Sequence, residues 1–116
     1  MKYENRNTYR RGDIWLGNTG QKYGRRPYLI VSNDRFNRTS DYVIVCPVTS
    51  KKKKDLESHV IVDTELSSAL FYRQTTVLVE QIRTVSKDCL YEYMMTLSVD
   101  EVRSLNMAIV YTIGGS

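Results

Sequence analysis

Two short apolar runs with polar ends constrain this chain more than any other feature. The first is Arg25-Arg26-Pro27-Tyr28-Leu29-Ile30-Val31-Ser32-Asn33-Asp34, and the second is Val43-Ile44-Val45-Cys46-Pro47-Val48-Thr49-Ser50. β-Branched and aromatic residues fill both runs, as a pleated, buried backbone requires, so Tyr28 to Ser32 and Tyr42 to Val48 are expected to be strands. Arg26 stands at the start of one and Thr49 at the end of the other. If the strands pair antiparallel, start meets end, and a guanidinium lies beside a hydroxyl on a rigid sheet. That pair suits a phosphate, because the arginine fork matches phosphate oxygens. Taken singly, each residue has a plainer reading: a solvated charge before a proline, and an ordinary strand threonine.

The remaining segments extend this β pattern. Ile14-Trp15-Leu16 and Ser58 to Val62 read as further strands, and Thr75 to Val79 and Gln81 to Val85 as two more or as one strand interrupted by Glu80. Asn18 to Gly24 contains Asn18, Gly20 and Gly24 and reads as a loop. Asn33 to Asp41 reads as a polar connection, and Leu66, Ala69 and Leu70 would fit one helical turn. Pro27 suits a strand start, whereas Pro47 implies that its strand ends there or runs along an edge. Ser98-Val99-Asp100-Glu101 is a capping box. Val102, Leu105, Ala108, Ile109 and Ile113 then recur on one face of a 3.6-residue period, and Gly114-Gly115 closes the helix. Many short strands followed by one amphipathic helix predict a mainly β (α+β) fold: a small antiparallel barrel or curled sheet with a helix packed on it.

A length of 116 residues fits one domain, expected over residues 11–116 behind a polar arm at residues 1–10. A domain this small buries a limited share of its surface, which favours dimerisation. The net charge of +4 favours an anionic partner. Residues 1–12 carry Lys2, Arg6, Arg10 and Arg11 and no apolar run, unlike a secretory leader. No apolar stretch approaches the ~20 residues that span a bilayer. With Cys46 and Cys89 in apolar settings, free thiols and a cytoplasmic location are expected. Those two cysteines and the single His59 are too few for a zinc site, so no metal is expected.

One histidine also excludes two-histidine acid–base cleavage of RNA within one chain. Phosphoryl chemistry here must rest on arginine, a hydroxyl or a carboxylate. His59 itself reads as a half-buried structural residue. Arg25 adds to the positive potential at Arg26. Ser50, Lys51 and Lys52 follow Thr49 directly and would extend a phosphate track, although a lysine run is more often a solvated loop. Tyr23 and Tyr28 flank the arginine pair, where stacking on a base competes with packing, the stronger reading for Tyr28. Glu80-Gln81-Ile82-Arg83-Thr84 places polar groups on a strand, where the plainer reading is a partly exposed strand with Glu80 and Arg83 solvated on opposite faces.

Taken in order, Arg11-Gly12-Asp13-Ile14-Trp15, Arg26-Pro27 with its strand to Asn33-Asp34, Val48-Thr49-Ser50, His59-Val60 and Glu80-Gln81-Ile82-Arg83-Thr84-Val85 resemble the MazF/PemK family of toxin endoribonucleases from toxin–antitoxin modules. None of the five motifs is specific alone; their common order over nearly the whole chain carries the resemblance. It implies an SH3-like barrel of the CcdB/MazF type, a homodimer with RNA in a basic groove, and metal-independent cleavage of single-stranded RNA without a cofactor. Attack by the ribose 2′-hydroxyl would leave 2′,3′-cyclic phosphate and 5′-hydroxyl ends. Arg26 and Thr49 match the family's key residues, and Gln81 matches one lining the RNA site. Arg25, Ser50, Lys51, Lys52 and Glu80 join it as expected RNA-binding residues. The expected regulator is a cognate antitoxin whose disordered acidic tail competes with RNA. The loop Gly17 to Gly24 is shorter than in most relatives. The alternative is a non-catalytic binding module on the same fold: a CcdB-like gyrase inhibitor or an acidic-peptide binder.

Overall fold

The structure is a computed structural model that describes residues 8–20, 24–50, 56–62 and 75–115. Among the described residues, seven strands and two α-helices follow in the order β1 (Asp13–Asn18), β2 (Arg25–Ile30), α1 (Asp34–Thr39), β3 (Tyr42–Thr49), β4 (His59–Val62), β5 (Thr75–Leu78), β6 (Arg83–Ser86), β7 (Leu90–Thr96) and α2 (Val99–Ile113). A 3₁₀ turn, Val79–Gln81, separates β5 from β6, so Glu80 does interrupt the strands there. The expected helical turn around Leu66 lies outside the described residues.

The strands form an antiparallel sheet in the order β4-β5-β3-β2-β1-β7, with β6 pairing the first half of β3. Among the described residues β4 and β7 end that path without pairing each other, so the expected barrel is an open, curled sheet. The mainly β class with a C-terminal helix is as expected. β3 organises the curl: Tyr42 to Val45 pair β6, and Val48 and Thr49 pair β5, on the edge opposite β2. Pro47 falls in the gap between those two partners. Its missing N–H therefore breaks no ladder bond there, and β3 continues through it as a central strand.

Apolar side chains alternate into two cores on the two faces of the sheet. Ile14, Leu29, Cys46, Val48, Val60, Val77 and Met95 form one, closed by Leu105 and Ala108 of α2. Trp15, Tyr28, Ile30, Val43, Val45, Val85 and Leu90 form the other, with Tyr9 and Tyr93 packed against it. Asn33 to Asp41 is not merely a connection. Asn33 caps α1 by accepting from the Phe36 N–H at 2.8 Å, and buried Asn37 donates to the Ser32 carbonyl at 2.9 Å. The capping box of α2 forms in both directions: the Ser98 N–H donates to Glu101 Oε1 at 2.8 Å, and the Glu101 N–H donates to Ser98 Oγ at 3.2 Å.

The Arg11-Gly12-Asp13 motif knots these layers together. Arg11 Nε donates to the Val31 carbonyl at 2.9 Å, and Nη2 reaches Asn106 Oδ1 of α2 at 2.8 Å. Gly12 has φ of 92°, a left-handed conformation that suits glycine. Asp13, 1% exposed, accepts from Thr96 Oγ1 at 2.8 Å, which fixes β7 beside β1.

Candidate functional site

The site is built by the register of β2 against β3. Tyr28 faces Pro47, Leu29 faces Cys46 and Ile30 faces Val45. The ladder ends at Tyr28 and Pro47; extended two residues further, the same register would bring Arg26 toward Thr49, on the face to which Tyr28 and Pro47 belong. Both residues are partly exposed, whereas the four residues from Val45 to Val48 are buried. The guanidinium and hydroxyl therefore stand where the second core meets solvent. On its other side Arg26 faces Gly17 of β1. A Cβ there would lie 2.6 Å from Leu90 Cδ2 and 2.7 Å from the Cys89 carbonyl oxygen, so only glycine lets β7 approach β1 this closely. The nearby loop is tied down at Thr19, whose hydroxyl lies 3.1 Å from that of buried Tyr28.

Arg25 belongs to the opposite face and is exposed. Its guanidinium carbon lies 5.9 Å from the ring centroid of Tyr91, an exposed residue of β7. No motif in the sequence marks Tyr91. Only the β1–β7 pairing brings it toward Arg25. Ser50 follows Thr49 and is half-exposed; Lys51, Lys52 and Tyr23 lie outside the described residues.

Glu80 and Gln81 occupy the 3₁₀ turn rather than a strand. Thr76 pairs Thr49, and β6 takes up β3 again at Arg83 and Val45. The turn thus lies several residues along β3 from Thr49. The Glu80 carboxylate grips β4: Ser58 Oγ donates to Oε1 at 2.8 Å, and His59 Nε2 lies 3.1 Å from Oε2. Burial pushes the Glu80 carboxyl up, but hydrogen bonds from its own backbone N–H, Ser58 and His59, with the charge of His59, hold it below its ordinary value. The His59 side chain is 7% exposed, which fits the structural role expected of it. Gln81 is exposed, and its carbonyl accepts from Arg83 Nε at 3.3 Å. Burial, then the Glu80 carboxylate, push the Cys46 thiol up to about 12 against the opposing pull of Arg83, so this cysteine is no nucleophile.

The arrangement offers a cationic fork and a hydroxyl on neighbouring strand ends, a second arginine beside an aromatic ring, and an amide on the turn that follows β5. These groups suit a phosphodiester flanked by bases. No group of three or more His, Cys, Asp or Glu able to hold a metal occurs among the described residues.

The relatives of the chain fit this geometry. The family model described as a PemK-like, MazF-like toxin of type II toxin–antitoxin systems matches residues 10–113. Endoribonuclease MazF of Staphylococcus saprophyticus is 33% identical over 111 residues, covering 90% of this chain and 91% of that protein. Endoribonuclease EndoA of Bacillus subtilis is 31% identical over 113 residues, covering 87% and 96%. Among solved structures, a mycobacterial endoribonuclease in complex with its cognate antitoxin superposes with a TM-score of 0.80 at 24% identity, covering 93% of this chain and 97% of that one. A MazE–MazF complex from Deinococcus radiodurans gives 0.73 at 24% identity, covering 96% and 100%. These two establish the shared fold. With the family model spanning nearly the whole chain and two relatives above 30% identity, the chain belongs to the PemK-like, MazF-like toxins of type II toxin–antitoxin systems.

Proposed function

We propose that this toxin is a metal-independent endoribonuclease that cuts single-stranded RNA, chiefly mRNA, in the cytoplasm. The observation that carries the reading is the antiparallel β2–β3 register, whose extension two residues past Tyr28 and Pro47 brings Arg26 toward Thr49. In the reaction a ribose 2′-hydroxyl attacks the adjacent phosphorus. Water takes up its proton, the bond to the 5′-oxygen breaks, that oxygen gains a proton from water, and the ends are a 2′,3′-cyclic phosphate and a 5′-hydroxyl. Arg26 neutralises the charge that accumulates on the phosphorane oxygens, and Thr49 holds a non-bridging oxygen or helps position the 2′-hydroxyl in line with the leaving 5′-oxygen. Positioning and charge stabilisation on a rigid strand pair supply the rate. Arg25, Ser50, Lys51, Lys52 and Gln81 bind the flanking RNA. Glu80 holds the turn that carries Gln81, through Ser58 and His59. The working form is a homodimer, restrained by an antitoxin with a disordered acidic tail. Residues 11–116 act as one domain behind the arm at 1–10.

Purified protein incubated with a long unstructured RNA in EDTA tests this. Wild type cuts it, and the 5′ ends accept a kinase label without prior phosphatase treatment. Arg26→Ala and Thr49→Ala, with unchanged circular dichroism, each lose about 10²- to 10³-fold in rate. RNA left intact at enzyme excess would falsify the assignment.

A further inference from the structure

Tyr91 lies on none of the motifs that carry the family resemblance, yet the sheet brings it beside Arg25, on the face opposite Arg26. It belongs to β7, an end strand of the sheet, and its ring is 51% exposed. Leu90 before it faces Gly17, and Gly17 faces Arg26. Arg25 faces Asn18 of β1 and crosses that strand to set its guanidinium carbon 5.9 Å from the Tyr91 centroid. Neighbouring strands are about 4.8 Å apart, so only a side chain as long as arginine spans from β2 toward β7. A separation of 5.9 Å is at the outer limit of cation–π attraction, about 6 Å. A half-exposed aromatic face beside an exposed arginine, one residue along the chain from Arg26, has the makings of a stacking platform for single-stranded nucleic acid.

We propose that Tyr91 is a base-stacking shelf for a nucleotide of the bound strand where that strand passes round the β1–β2 end of the sheet, from the face of Arg26 and Thr49 to the face of Arg25. An unpaired base lies on the exposed Tyr91 ring, and Arg25 shifts to cover the base or to hold its phosphate. The shelf takes any base, because each has a π-face. It therefore sets affinity and the position of the strand more than the choice of base. This rests on the ribonuclease reading and adds to it a contact on β7, on the far side of β1 from the Arg26–Thr49 pair.

Binding of an uncleavable, fully 2′-O-methylated single strand measures the shelf. Tyr91→Ala weakens binding about 5- to 100-fold, whereas Tyr91→Phe stays within about twofold of wild type. Because the ring is half exposed, either variant keeps its fold, which circular dichroism checks. In Tyr91→Trp the new indole fluorescence is quenched by the strand, while Trp15, 3% exposed, supplies a constant background. Unchanged binding by Tyr91→Ala with no quenching in Tyr91→Trp overturns the shelf. A Tyr91→Trp signal that answers an acidic peptide but not the strand overturns it as well. Cutting of the unmodified strand, run in parallel, separates the two readings. A wild type that cuts, matched in binding and cutting by Tyr91→Ala, defeats the shelf alone; a wild type that neither binds nor cuts defeats both.

Discussion

At the scale of single residues, the site depends on what a guanidinium does that an ammonium does not. Arg26 presents a planar fork with five donors, matched to two phosphate oxygens at once, whereas lysine offers a point charge. Arg26→Lys keeps the charge and loses the fork. It is expected to leave the KM for RNA within about threefold while lowering kcat about 10²-fold, because the lost contacts strengthen only as charge builds on the phosphorane. Steady-state rates on a short fluorogenic oligonucleotide check the split, and an equal loss in both parameters contradicts it. The cysteines give a second residue-scale prediction. Cys46 is fully buried with its thiol pushed up to about 12, whereas Cys89 is partly exposed. Under native conditions at pH 8, iodoacetamide modifies Cys89, and Cys46 reacts only after unfolding, as peptide mass mapping reads directly. Modification of Cys46 in the folded protein contradicts this.

At the scale of elements, the strands were legible because β-branched residues cluster in runs, and α2 because its capping box and period agree. The antiparallel pairing of β2 with β3 was legible for the same reason, and the proposed approach of Arg26 to Thr49 rests on that pairing. What stayed hidden depends on contacts between distant segments. α1 has six polar or aromatic residues and no apolar period, so nothing short of the Asn33 cap and the buried Asn37 distinguishes it from loop. Pro47 looked like a strand end because the sequence does not show that β3 changes partners beside it. The Glu80 clip needs β4 and the turn to meet, and Tyr91 needs β7 to lie against β1. The clip makes a prediction about acid. The Glu80 carboxyl is held below its ordinary value of 4.5, so it binds a proton more readily unfolded than folded. Its contribution is complete above pH 4.5 and is lost as pH falls through the lower folded value. Glu80→Gln should therefore destabilise the protein at pH 7, with the difference from wild type shrinking below pH 4.5. Urea titrations at several pH values read that difference, and a constant gap across acid pH contradicts the clip. At the other end of the chain, Ser98→Ala removes the acceptor for the Glu101 N–H and is expected to cost about 1 kcal/mol by urea denaturation.

At the scale of the whole molecule, α2 has two faces with different fates. Leu105 and Ala108 are buried against the sheet, but Met107, Val110, Tyr111 and Ile113 are more than half exposed. With Ser104, Asn106 and Glu57, the first three line a groove beside the helix. So much apolar surface on one side of a small domain is costly to leave in water, and the proposed homodimer gives it a cover. Two copies also place two sets of Arg25, Arg26 and Thr49 in one particle and double the +4 charge that draws RNA to it. If the α2 face is that cover, Val110→Glu puts a carboxylate into an interface where it finds no partner. The variant then sediments as a monomer at concentrations where wild type is a dimer. Its fold survives, because Val110 is 65% exposed in the single chain. Its KM for long RNA rises at low salt, where the summed charge acts furthest, and the penalty narrows as salt screens that charge. A Val110→Glu protein that remains dimeric moves the contact to another surface, with the free edges of β4 and β7 the next places to mutate.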